Sequence, residues 1–331
     1  MTDLRSGPGT DTRKIAARLP TEPGVYRFRD VHGRVLYVGR AVNLRRRATS
    51  YWSDLDDRPH LRRMMPRVAR VEAVACASEH EAAWLERNVL QRRLPPWNRT
   101  VGGQETPVYL RLDASSANPG LTVVYAPPVG QTCFGPYLGG TRVRTAVAGL
   151  HRVFPLPYAG SALSAAQRDL ARVRQPAPKD PDALVAALTS VLRRDADAVA
   201  EVRRDLLARR DEAVRRTAFE HAARLQAEIE AVQWVLSPQR ATLQDPEDLD
   251  FHGWAEGAAS GVSSSAASGV GSGPASGVLV RFEVRDGRLC GWQVRPCSAA
   301  AGAAQAAATP QRWAEFADRN ARLAAQLRPP L

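Results

Sequence analysis

Two tyrosines, Tyr26 and Tyr37, and four arginines, Arg40, Arg45, Arg46 and Arg47, crowd into the segment PGVYRFRDVHGRVLYVGRAVNLRRR, residues 23–47. One carboxylate, Glu86, and one amide, Asn98, follow twelve positions apart. Phenols, guanidinium ions, a carboxylate and an amide together suit phosphodiester hydrolysis. The carboxylate could hold a divalent metal as Lewis acid, an arginine could neutralise charge developing on phosphate, and a phenol could move a proton. A free phenol has a pKa of about 10, so a tyrosine base near neutral pH needs a shift of about 2–3 units, or about 3–4 kcal/mol. Neighbouring guanidinium ions push in that direction, and either tyrosine could be the base.

These groups must be positioned by short elements. VYRF and RVLYV read as two strands joined by a turn through Asp30, Val31, His32 and Gly33, a hairpin. Asn43 can cap a helix that begins LRRRATSYW, and RVEAVAC supplies a third strand from Arg70 to Cys76. Ser78 with Glu81 forms a capping box for a helix whose apolar stripe is Ala82, Ala83, Leu85, Val89 and Leu90, stopped by Pro95–Pro96. The expected class is α/β, with residues 19–100 a small nuclease-type domain: a three-stranded antiparallel sheet with helices.

Strand-like PVYLRL and LTVVYA, then a turn leading into a helix that ends near Phe154, make an extension over 101–160. A helical linker region is expected over 161–196 and a helical hairpin turning near Thr217 over 197–237. Residues 245–331 read as a small α+β segment with a hairpin around Asp286–Gly287 and a last helix over 310–327. Within it, residues 257–277 are almost wholly Gly, Ala, Ser and Val. Such a stretch buries too little apolar area to offset chain entropy, so a flexible insertion is expected.

With 331 residues, 44% of them apolar, the chain can fill about two cores. Its net charge is +12, and residues 1–100, with 20 basic and 11 acidic side chains, carry three-quarters of that excess. A basic face concentrated in one third of a chain seeks phosphate or acidic surfaces. All but Lys14 and Lys179 of the basic residues are arginines. Cys76, Cys133, Cys290 and Cys297 show no C-x2-C spacing and read as reduced thiols. The histidines show no metal spacing. Trp52 and Trp97 flank the proposed site as packing residues or base-stacking platforms, and Arg87, Arg92 and Arg93 read as a solvated basic face. The polar N-terminus MTDLRSGPGTDTRK has no apolar h-region, and no stretch approaches ~18 apolar residues, so a cytoplasmic protein without a membrane span is expected.

Gly24-Val25-Tyr26 with Tyr37-Val38-Gly39 resembles the paired motif of the GIY-YIG nucleases. LPTEPGVYRF, GRVLYVGRAVNLRRR and SYW resemble the N-terminal domain of the UvrC family, and SEHEAAWLERNVLQRRLPPWN is similar to that family's helix with its metal-binding Glu and later Asn. FGPYLGG and VFPL are similar to the segment that follows. AFEHAARLQAEIEAV, residues 218–232, resembles the UVR motif.

The resemblance implies an active site of Tyr26, Tyr37, Arg40, Arg47, Glu86 and Asn98, with one Mg²⁺ or Mn²⁺ on Glu86 and generic phosphate contacts from Arg40, Arg45, Arg46 and Arg47. It implies damaged or distorted duplex DNA as substrate, and UvrB as a partner through Phe219, Glu220, Ala223, Leu225 and Ile229. Arg40 stands where the family usually has Lys, which keeps the charge but makes a poorer proton shuttle and a better phosphate clamp. No cysteine-rich segment follows FPL, so no iron–sulfur cluster is expected. GGQET, 102–106, replaces a basic loop, and the chain ends at Leu331 before a second nuclease domain could fit. The whole resembles a shortened, Cho-like member that makes a single 3′-side incision in nucleotide excision repair. A DNA-binding or UvrB-binding adaptor that has lost catalysis, and a nuclease of foreign or branched DNA independent of UvrB, are the alternatives.

Overall fold

The computed structural model describes residues 8–53, 58–100, 105–115, 117–174, 180–244, 246–257 and 276–328. The expected insertion over 257–277 lies outside them apart from its ends, as do residues 102–104 of the GGQET loop. The chain divides into two compact units, residues 1–104 with 238–331, and residues 105–237.

The first unit opens with α1 (Pro8–Ala17), β1 (Gly24–Arg29), β2 (Val35–Ala41), α2 (Leu44–Thr49), α3 (Pro59–Met64), β3 (Arg70–Ala75) and α4 (Glu79–Arg92). The strands form the expected three-stranded antiparallel sheet in the order β2-β1-β3. Asp30 fixes the β1–β2 turn: its carboxylate accepts from the His32 and Arg34 amides at 2.9 and 2.8 Å. Asn43 caps α2 through the Arg46 amide, and Ser78 caps α4 through the Glu81 amide, while the Glu81 carboxylate accepts from the Ala77 amide at 2.7 Å. Tyr26, Phe28, Leu44, Leu61 and Met64 fill the core on one side of the sheet.

Both motif glycines are dictated by close approach. A Cβ on Gly24 would lie 2.3 Å from the Val74 carbonyl, and one on Gly39 would lie 2.5 Å from the Tyr26 hydroxyl. The two edge strands are closed by asparagine side chains, which mimic a missing neighbour strand. Asn98 exchanges two hydrogen bonds with the Val38 backbone on β2, at 2.9 and 2.8 Å. Asn320 does the same for Ala75 on β3, at 2.7 and 3.2 Å.

The second unit holds β4 (Val108–Asp113), β5 (Gly120–Val124), β6 (Thr132–Tyr137), α5 (Gly140–Val153), α6 (Ala165–Arg174), α7 (Pro181–Leu192), α8 (Ala196–Arg215) and α9 (Phe219–Leu236). Its sheet runs β5-β4-β6. FGPY reads as a turn in the sequence, yet it lies in β6. A proline is tolerated there because β6 is an edge strand and its register against β4 shifts between Val108 and Leu110. Helices α8 and α9 form the expected hairpin, with Thr217 at φ 55° in the turn. Glu228, 3% exposed, is held by Arg152 through two guanidinium nitrogens, one at 2.9 Å. Arg152→Ala strands that carboxylate without a partner, and we expect a loss of about 3–5 kcal/mol of stability, read as a lower urea midpoint.

The chain returns to the first unit with β7 (Leu249–Glu256), β8 (Ser276–Arg285), β9 (Arg288–Ser298), α10 (Ala299–Ala307) and α11 (Gln311–Gln326). The three strands make an antiparallel meander, and the expected β8–β9 hairpin turns through Asp286 and Gly287, both at positive φ. Phe251, Phe282, Trp313 and Phe316 stack between this sheet and α11. Arg92 is exposed, as expected, and also pairs with Glu283. No helix among the described residues is long and apolar enough to cross a membrane.

Candidate active site

The register of β1 against β2 sets Tyr26 opposite Gly39 and Phe28 opposite Tyr37, so both phenols lie on one face of the sheet. With no side chain at Gly39, their ring centroids come within 6.3 Å. A third phenol joins them. Tyr51, in the short helical turn Ser50–Trp52 after α2, sits 5.9 Å from each ring, and its hydroxyl is 2.7 Å from that of Tyr26. The sequence reading did not count Tyr51 as a site residue. The signal was its place four positions after Arg47, one helical turn on: the Arg47 guanidinium lies 5.4 Å from the Tyr51 ring centroid.

Glu86 projects from α4 towards β2, its side chain only 13% exposed. One carboxylate oxygen accepts from the Arg40 amide at 3.1 Å, and the other is 3.3 Å from Arg40 Nε. Burial holds the Glu86 carboxyl above the usual carboxylate range, while Arg40 and then Arg47 draw it back. Burial likewise pushes the Tyr26 and Tyr37 phenols above their ordinary pKa, and the Arg47 charge opposes that rise in both. Guanidinium lowering, expected from the sequence, is present but burial outweighs it. In the free protein at neutral pH the tyrosines are therefore neutral phenols.

The structure thus brings together Tyr26, Tyr37, Arg40, Arg47 and Glu86, and adds Tyr51. Asn98 serves this group from behind, with both ends of its amide spent on the Val38 backbone between Tyr37 and Gly39. Arg45 and Arg46 are exposed on α2, with Arg45 Nε donating to the Leu19 carbonyl at 2.7 Å. Trp52 and Trp97 are partly buried against the core, which makes them packing residues.

Of the five residues expected to meet a partner, Phe219 is 66% exposed, and Glu220 and Ala223 are exposed as well. Leu225 and Ile229 require a correction. Leu225 is 1% exposed and packs with Ala213 and Ala222, and Ile229, 3% exposed, belongs to the core of residues 105–237. Both face into the hairpin and its unit because they lie on the apolar stripe of α9, so they support the surface and do not form it.

Among the described residues no three His, Cys, Asp or Glu side chains converge on a point. A cation at Glu86 would find a carboxylate oxygen there, a donor that suits Mg²⁺, which completes its shell with water and phosphate oxygens.

A family model for the UvrC-like GIY-YIG domain matches residues 22–99. Residues 22–99 are a UvrC-like GIY-YIG domain. The chain is 36% identical over 149 residues to UvrABC system protein C of Trichlorobacter lovleyi, covering 45% of this chain and 25% of that one. It is 32% identical over 252 residues to UvrABC system protein C of Syntrophotalea carbinolica, covering 72% of this chain and 40% of that one. It thus spans well under half the length of these curated relatives. Among solved structures, it is similar to the GIY-YIG N-terminal endonuclease domain of UvrC from Thermotoga maritima bound to its catalytic divalent cation, magnesium. The identity is 28%, with 30% of this chain and 99% of that chain covered and a TM-score of 0.25.

Proposed function

We propose that this UvrC-like chain is a metal-dependent DNA endonuclease of nucleotide excision repair that makes one incision on the 3′ side of a lesion. The observation that carries the reading is the gathering of three phenols and Arg47 on one face of the GIY-YIG sheet, with a desolvated carboxylate at the β2 backbone close enough to couple to Tyr37 and Arg47.

Glu86 would hold one Mg²⁺ or Mn²⁺, with the half-exposed Arg40 side chain swinging off the carboxylate towards the DNA backbone. The bound cation supplies Lewis-acid polarisation of the scissile phosphate and neutralises its charge. Arg47 stabilises negative charge on the phosphate from a position fixed by Tyr51. Tyr26 is 0% exposed, whereas Tyr37 is only partly buried, so Tyr37 is the phenol that can meet an attacking water. A neutral phenol accepts a proton only if it gives up its own. That proton leaves to solvent from the partly buried Tyr37, and the Arg47 charge favours the phenolate left behind. Asn98 keeps β2, and with it Tyr37, in register.

UvrB is the proposed partner at the turn end of the α8–α9 hairpin, where Phe219 and Val214 are both exposed apolar residues. The reading is tested with an end-labelled duplex carrying one bulky lesion, Mg²⁺ or Mn²⁺, and UvrA and UvrB added or omitted. We expect a single cut 3′ of the lesion that requires UvrB. Equal cutting without the partners would instead support a nuclease of foreign or branched DNA. Binding without any cut would support an adaptor, the reading that the Arg40 grip on Glu86 favours.

A further inference from the structure

Helix α4 carries Glu86 towards β2, and its other face is fastened along its whole length by the C-terminal part of the same unit. At its start, the Glu81 carboxylate accepts from the Arg240 amide at 3.0 Å, and the Ser78 hydroxyl donates to the Pro238 carbonyl. Midway, Asn88, 3% exposed, donates to the Ala241 carbonyl at 2.8 Å, the Thr242 hydroxyl at 3.0 Å and the Leu289 carbonyl at 3.2 Å. At its end, Arg92 pairs with Glu283 and donates to Cys290 Sγ at 3.2 Å. Glu81, Asn88 and Arg92 stand seven and four positions apart, so they share one helix face, while Glu86 lies well round the helix from it. Surface arginines and a capping box would need none of these partners. A buried amide that reaches two backbone carbonyls from different segments is a specific joint, because its loss removes a donor from each, although the Ala241 carbonyl still accepts from the Leu289 amide at 2.8 Å.

We infer that Asn88 is a positioning residue: it locks α4 to residues 241–242 and 289, and through the helix those residues set where the Glu86 carboxylate stands. The inference rests on the metal role proposed for Glu86. Supporting residues of this kind alter metal affinity or activity by about 10–100-fold when removed.

The test compares the full chain with Asn88→Ala. Hydrogen exchange of the α4 amides is measured without metal or DNA, and Mn²⁺ affinity by electron paramagnetic resonance without DNA. We expect α4 to lose protection by about tenfold or more relative to β1 and β3. Mn²⁺ should bind about tenfold more weakly, and kcat should fall while KM for DNA stays unchanged. A merely structural role would lower protection evenly across the unit and leave Mn²⁺ affinity alone, and that result overturns the inference. If Asn88→Ala does not fold, Thr242→Val removes one acceptor from the opposite side of the joint. It should loosen α4 selectively, and no change in exchange or Mn²⁺ affinity would again overturn the inference. Failure of the nuclease reading is distinguishable, since it appears as absent Mn²⁺ binding in the unsubstituted chain.

Discussion

Glu86→Gln should bind duplex DNA at least as well as the unsubstituted chain does and leave it uncut. Glutamine keeps the shape of the side chain and an oxygen for the Arg40 amide, which now donates at 3.1 Å, but it removes the charge that would hold a divalent cation. Among the described residues no group of three or more His, Cys, Asp or Glu side chains offers a metal site in its place. Loss of Lewis-acid and electrostatic assistance at a transferring phosphate amounts to several kcal/mol, so cleavage should fall by about 10³-fold or more. Arg40, freed from its ion pair, remains available to phosphate, so affinity in a gel-shift titration should hold or rise. Cleavage within about tenfold of the unsubstituted rate would remove Glu86 from the chemistry.

Tyr37→Phe should slow cleavage by about 100-fold or more while DNA affinity is retained, the size expected when a positioned proton-transfer group is lost. Burial raises the Tyr37 phenol above its ordinary pKa, chiefly by desolvation and then by Tyr51. The proton-accepting form is therefore scarce at neutral pH and becomes more abundant as pH rises. In the free protein this sign predicts kcat/KM increasing across pH 7–9 without a neutral plateau, and the increase should be blunted in Tyr37→Phe. Tyr26→Phe and Tyr51→Phe both break the Tyr26–Tyr51 hydroxyl pair, and Tyr51→Phe also removes the hydrogen bond to Tyr37, so its effect should be the larger. A Tyr37→Phe rate close to that of the unsubstituted chain would show that water loses its proton elsewhere.

Residues that act through local patterns were legible in the sequence. Alternation and turn chemistry gave the β1–β2 hairpin, the Asn43 and Ser78 caps gave α2 and α4, and the positive-φ pair Asp286–Gly287 gave the last hairpin. Tyr26, Tyr37, Arg47 and Glu86 were legible as a group because their types complement one another and because they stand at the positions of the GIY-YIG pattern that the sequence resembles. Tyr51 was not, since a tyrosine in a short helical turn looks like core material until its hydroxyl is seen 2.7 Å from that of Tyr26. The rise in phenol pKa was also hidden, because sequence shows the neighbouring guanidinium ions but not the depth of burial. Leu225 and Ile229 share a motif with Phe219, and only packing separates the inward residues from the outward one. The partners of Asn88 and Arg92 lie between 153 and 201 positions downstream, a range over which no periodicity reports.

The most direct measurement is strand scission of an end-labelled duplex by the purified chain, titrated with Mg²⁺ and Mn²⁺ and repeated in excess chelator, with UvrA and UvrB present. Scission should appear with the metal and disappear with the chelator. Scission that persists in chelator, or DNA that stays bound and intact at every metal concentration, would contradict the metal-dependent reading.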